Sequence, residues 1–253
     1  PGIVGITEEW NGTNWTEVAD LATARSGLGG AGTSTAAAVF AGSAPSVTGA
    51  TEEWTGAGAP VGAWSTGGSL NQDRYAMSSS GTVTASIAFG GRISPPNAYS
   101  AANESYDGTS WTEVNNLVTA RNAMGSTTGP YTAVLGMGGN DGGNTSKVES
   151  WNGANWTEIT GLNTAKSNVA GCGTTTAALA TGGSGNTNEL WNGSNWTEVN
   201  DLNTARNGIG PNSSGTSTAT LVAGGEQPGP PYALYANSEL WNGTNWTEVN
   251  DLN

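Results

Sequence analysis

The sequence predicts an all-β fold, a β-propeller of four-stranded antiparallel blades. Three observations carry the prediction. A tryptophan-rich motif recurs along the whole chain. Every copy but the second holds a turn dipeptide at the spacing of a tight hairpin. The stretch between copies contains one glycine-rich run and one apolar run, each of strand length.

The repeat is aligned on an aromatic residue (Trp10, Trp54, Tyr106, Trp151, Trp191, Trp241) and a second Trp (Trp15, Trp64, Trp111, Trp156, Trp196, Trp246). The two lie five residues apart in every unit but the second, where residues 55–63 form a longer turn. Asn-Gly (Asn11-Gly12, Asn152-Gly153, Asn192-Gly193, Asn242-Gly243) or Asp107-Gly108 sits between them. These dipeptides tolerate the positive φ that tight hairpins need, so each segment reads as a hairpin of two outer strands, c and d. Ten residues after the second Trp comes a basic residue: Arg25, Arg74, Arg121, Lys166 and Arg206. A Leu precedes each by four positions. A glycine-rich strand a follows, then an apolar strand b that ends in small residues, as in Ala177-Ala178-Leu179-Ala180 before Gly182-Gly183.

There are six c–d hairpins but five a–b pairs, with successive first aromatics 40 to 52 residues apart. A single propeller domain over residues 1–253 follows. Residues 1–20 form an extra outer hairpin, and blades span about 21–67, 70–115, 117–160, 162–200 and 202–253. Five blades are favoured, because a propeller without inner strands in one blade opens its core. The alternative is six blades, one incomplete or completed by another chain.

The basic residue, the b strand ending in Gly-Gly, the acid-plus-aromatic of strand c and the Trp of strand d together resemble the kelch repeat over the whole chain. The c-strand aromatic is mostly Trp here, where kelch repeats carry Tyr. The wording Glu-x-Trp-Asn-Gly-x-Asn-Trp-Thr-Glu-Val also resembles repeat tracts in structural and tail-fibre proteins of marine bacteriophages. That resemblance implies a place on a virion surface or another extracellular appendage, within a larger chain or assembly.

Composition narrows the function. Charged residues are 11% of the chain and the formal net charge is −13, which repels phosphate backbones and anionic lipid surfaces. No nucleic-acid partner and no membrane insertion are expected. Eleven Trp argue against disorder. Cys172 is alone and reads as a small buried residue. Histidine is absent, which removes Ser-His and Cys-His pairs and His-based metal sites. Most acids recur in register: Glu9, Glu53, Glu104, Glu149, Glu189 and Glu239 near the first aromatic, with Glu17, Glu113, Glu158, Glu198 and Glu248 after the second Trp. A residue repeated in every blade is explained by blade architecture, whereas a catalytic carboxylate pair breaks the repeat. The expectation is a binding module, not an enzyme, with no cofactor and no metal.

Two sets of residues are candidates for binding. The basic residues Arg25, Arg74, Arg121, Lys166 and Arg206 read either as ion pairs between blades or as a positive ring at the channel mouth that takes an anion. The second set comes from loop lengths. From the second Gly of strand b to the next aromatic the chain runs 12, 15, 12, 8 and 16 residues, while the step from second Trp to cation is always ten and that from cation to second Gly is 17 to 19. Variation therefore sits in the b–c loops, all on one face, as it does where a rigid scaffold carries a binding surface. Tyr99, Tyr232 and Tyr235 offer aromatic platforms there, and Asn97, Asn140, Asp141 and Gln227 polar contacts. The expected partner is a surface glycan or a receptor protein. The alternatives are a purely structural spacer and, more distantly, a carboxylate-based glycoside hydrolase.

Overall fold

A computed structural model describes residues 3–43, 45–56, 62–183, 185–209, 214–231 and 233–253. Most of the long turn at 55–63 lies outside them. The chain opens with a hairpin, β1 (Thr7–Trp10) and β2 (Trp15–Val18). Blade 1 is β3 (Gly29–Thr33), β4 (Ala36–Phe40), β5 (Thr51–Thr55) and β6 (Ala63–Gly67). Blade 2 begins with β7 (Ser78–Thr82) and β8 (Ala85–Phe89), passes through a small hairpin of β9 (Arg92–Ile93) and β10 (Ala98–Tyr99), and ends with β11 (Asn103–Tyr106) and β12 (Trp111–Val114). Blade 3 is β13 (Gly125–Ser126), β14 (Val134–Met137), β15 (Val148–Trp151) and β16 (Trp156–Ile159). Blade 4 is β17 (Ala170–Gly173), β18 (Ala178–Thr181), β19 (Asn188–Trp191) and β20 (Trp196–Val199). Blade 5 is β21 (Ser214–Thr216), β22 (Ala219–Ala223), β23 (Ser238–Trp241) and β24 (Trp246–Val249). Every blade is an antiparallel meander, and the described residues contain no helix. The five four-stranded blades expected from the repeat are present.

The outer hairpins form for the predicted reason. Asn11 Oδ1 accepts the backbone N–H groups of Thr13 and Asn14, both at 2.9 Å, and Gly12 takes φ 96°. Asp107 does the same for Thr109 and Ser110, which holds its carboxyl below the usual carboxylate range. The two aromatics face each other across the hairpin. Trp241 pairs with Trp246, and the ring centroids are 5.2 Å apart.

The apolar core is divided among the spaces between neighbouring blades. In blades 2 to 5 the second Trp packs on the b strand of the preceding blade. Phe40 meets Trp111 at 4.8 Å between centroids, and Phe89 meets Trp156 at 4.7 Å. Burying one such ring contributes roughly 1.5–3 kcal/mol. Cys172 lies in the space between blades 4 and 5 with Leu179, Val222 and Trp241. The Gly-Gly pairs let the end of strand b meet the next blade. Gly139 donates its N–H to the Lys166 carbonyl at 2.9 Å, and a Cβ on Gly138 would come within 2.5 Å of that oxygen.

The hairpin β1–β2 stands between blade 5 and blade 1. In blade 2, Asn115 reaches the hairpin turn of blade 3 and donates to Ala154 O and Asn155 Oδ1. Asn200 of blade 4 does the same to the turn of blade 5. Asn250, after the last strand of blade 5, makes the same two bonds to Thr13 O and Asn14 Oδ1. On the other side, Trp64 of blade 1 donates to Ala19 O, as Trp196 of blade 4 donates to Thr160 O. The extra hairpin therefore has a place of its own between blade 5 and blade 1. It is a two-stranded sheet at a sixth position of the ring, beside five complete blades.

Candidate functional site

The five basic residues do not form an open ring. Arg74 Nη2 donates to Glu104 Oε1 at 2.8 Å, Arg121 to Glu149 at 3.0 Å and Arg206 to Glu239 at 2.6 Å, while Lys166 pairs with Glu189 at 3.3 Å and Arg25 with Glu52. All five cations are buried. Each pair lies within one blade, from the approach to strand a across to strand c, so the expectation of pairing between blades is corrected. So is that of a channel-mouth ring, because a cation with no solvent exposure meets no dissolved anion. Burial pulls the Arg74 guanidinium down to about 10 while Glu104 and Glu113 act against it, so it is still charged at neutral pH. The guanidinium also donates to carbonyls, such as Ala102 O at 2.6 Å, and these bonds tie three strands of the blade together.

The acid register needs one correction as well. Blade 1 pairs Arg25 through Glu52, not through Glu53, and Glu8 is the equivalent residue of the first hairpin. Adjacent strand residues point to opposite faces, so only one of two neighbouring glutamates can reach the cation. Glu53 instead accepts the Tyr106 hydroxyl at 2.5 Å. Burial and this hydrogen bond push the Tyr106 hydroxyl up to about 12.

The b–c loops supply a more open site. They lie beside the approaches to the a strands, bridged by pairs such as Tyr75 with Arg92 and Asn122 with Asn140. In blade 2 the loop is the β9–β10 hairpin. It lays Tyr99 against Arg92, whose guanidinium carbon is 4.7 Å from the ring centroid. The Tyr99 hydroxyl donates to Asn140 Oδ1 of blade 3 at 2.6 Å. Asn97, exposed, accepts the Tyr75 hydroxyl at 3.3 Å. Asp141 pairs with Lys147 at 2.8 Å, and their side chains keep 26% and 36% of their surface open. Tyr99, Asn97, Asn140 and Asp141 thus form one patch across two blades.

Gln227 and Tyr235 lie in the loop of blade 5, away from that patch. Gln227 accepts no part in it and donates its backbone N–H to Ala233 O, while the Tyr235 ring lies 5.9 Å from the Arg206 guanidinium carbon. Tyr232 lies outside the described residues. Sequence reading missed Arg92 and Lys147. Their signal was available, since they are the two of seven basic residues that fall outside the repeat register, and both join the patch.

On the same face the axis opens in a cavity of about 370 Å³, lined by equivalent residues of all five blades, among them Ala76, Ala123, Asn168 and Gly208. The first three have φ of 50°, 54° and 55°, unusual for residues with a side chain. Their N–H groups run around the mouth, Ala76 to Gly27 O, Ala123 to Ala76 O and Asn168 to Ala123 O.

No protein family profile matches the sequence, and no curated protein matches it. The fold does match solved structures. One, described as the structure of YjhT, superposes with a TM-score of 0.77 at 11% identity, covering 97% of this chain and 91% of that one. Such a likeness shows a shared propeller fold.

Proposed function

We propose that this propeller is a non-catalytic recognition module. Its b–c loop face would bind a surface glycan or a receptor protein, from a phage fibre or a similar extracellular appendage. The observation that supports this most is the patch on blades 2 and 3. The five framework cations are used up in buried pairs, each with one strand-c glutamate, whereas Arg92, Tyr99, Asn97, Asn140, Asp141 and Lys147 depart from the repeat and keep polar atoms near solvent. An aromatic ring flanked by amides and a charge pair is the chemistry that orients a sugar ring or a polar loop.

The test replaces Tyr99 by Ser and Asn97 by Ala together, then measures glycan-array binding, adsorption to host cells and melting temperature. Loss of binding with unchanged melting supports recognition at this face. Retained binding overturns it. A structural spacer is the second reading, and the uniformity of the blade framework favours it. Under that reading a virion lacking the domain still adsorbs.

A further inference from the structure

Among the described residues the sixth position has an outer half and no inner one. In each complete blade strand c lies between strands b and d, but β1 pairs only with β2. Beside β1 is an open slot of about 680 Å³ between blades 5 and 1, lined by Trp10, Trp15, Ala31, Ala37, Val39 and Leu221, among others. These side chains are half-buried, whereas their equivalents in blades 2, 3 and 4 are buried. Leu221 has the register of Leu179, and Ala37 and Val39 that of Ala178 and Ala180, all three of which are fully buried. The exposed positions alternate along β4 and β22, so one whole sheet face of each flanking blade looks into the slot.

Three polar features show what would fill it. First, Glu8 has the register of Glu52, Glu104, Glu149, Glu189 and Glu239, each of which pairs with a cation, yet no described cation pairs with Glu8. Second, the other ligand of that glutamate is in place. Asn203 donates its N–H to Glu239 and Asn71 its N–H to Glu104, and Asn253 donates both its N–H and its side-chain amide to Glu8 Oε1 at 3.0 Å. In the other blades the cation follows three residues after this position, as Arg206 follows Asn203 and Arg74 follows Asn71. Third, Trp54, Trp191 and Trp241 give their indole N–H to a carbonyl in the a–b turn of their own blade, at Ser34, Thr175 and Ser217. No a–b turn stands beside Trp10 among the described residues.

We infer that this slot is a receptor for a strand pair of the chain's own a–b type, entering from Asn253, with a basic residue three positions on that pairs with Glu8. The pair would add two strands to the open edge of β1, supply a carbonyl to Trp10 and cover Leu221, Ala37 and Val39. Main-chain bonding would hold it and the buried ion pair would fix its register.

The experiment appends a copy of residues 72–91 after Asn253 in the chain of residues 1–253 and follows amide exchange with the melting temperature. The expected result is slower exchange of the Thr7–Trp10 amides, by at least about tenfold, with a higher melting temperature. Replacing the copied Arg74 by Met, or Glu8→Gln in the extended protein, should each reverse part of that gain. Unchanged exchange in β1 overturns the inference. Should the extended chain fail to fold, the synthetic 72–91 peptide added to the unextended protein decides the matter. Protection of β1 by the peptide supports the inference, and no protection at millimolar peptide overturns it. A dimer of the unextended chain with β1 protected at its interface would also overturn it, in favour of a second copy as occupant.

Discussion

Residues 10–18 and 241–249 are the same nine amino acids, Trp-Asn-Gly-Thr-Asn-Trp-Thr-Glu-Val, and fold into the same hairpin. The turn bonds are alike and the ring centroids stand 5.4 Å apart in one and 5.2 Å in the other. Their surroundings differ. Trp241 and Trp246 are 1% and 6% exposed, while Trp10 and Trp15 are half-buried. The hairpin therefore forms with or without inner strands beside it, and inner strands are required to bury it. The lesson separates two contributions that a repeat protein normally presents together, turn chemistry and blade packing.

The comparison breaks most visibly at the second Trp. Trp246→Ala should cost roughly 3–5 kcal/mol, as for a buried aromatic, and Trp15→Ala under about 1.5 kcal/mol, in urea unfolding. Equal losses would mean that both hairpins are packed alike.

The glutamates give the next effect. Arg206→Met leaves Glu239 buried without its cation and should cost about 3 kcal/mol. The N–H groups of Asn203 and Thr204 still solvate that carboxylate, which keeps the loss below the extreme. Glu8→Gln removes no ion pair and should shift stability by less than about 1 kcal/mol. Denaturant midpoints with unchanged slopes measure both.

A smaller effect sharpens the account of blade 1. The Tyr106 hydroxyl, buried and bonded to Glu53, titrates at about 12, above its ordinary value. Its folded value is raised, so the protonated group's contribution is fully present below pH 10 and is lost as pH rises through about 12. Tyr106→Phe should remove that part of the alkaline loss, which a pH series of melting curves would reveal. The smallest change belongs to the loop face. Tyr99→Ser should alter stability by no more than about 0.5 kcal/mol, since the ring is only half-buried.

Much of this architecture is legible in the sequence. Asn-Gly and Asp-Gly placed the hairpins, and the constant ten-residue step from Trp to cation placed the blades. The step did not show what the cation meets. Arg25 reaches Glu52, and the neighbouring Glu53 points to the other face, a distinction set by strand alternation that spacing along the chain does not reveal. Nor could spacing show that Tyr99 and Asn140 touch, since they belong to loops of different blades. The repeat nevertheless held a clue to the binding patch in Arg92 and Lys147, which break its register.

Amide exchange of these two hairpins tests the central claim most directly. β23 lies between β22 and β24, whereas β1 has one neighbour. The account predicts that the Ser238–Trp241 amides exchange only with global unfolding, while alternate amides of Thr7–Trp10 exchange at least about a hundredfold faster through local opening. Equal protection in the two strands would contradict it, because β1 would then have to be covered by inner strands as β23 is.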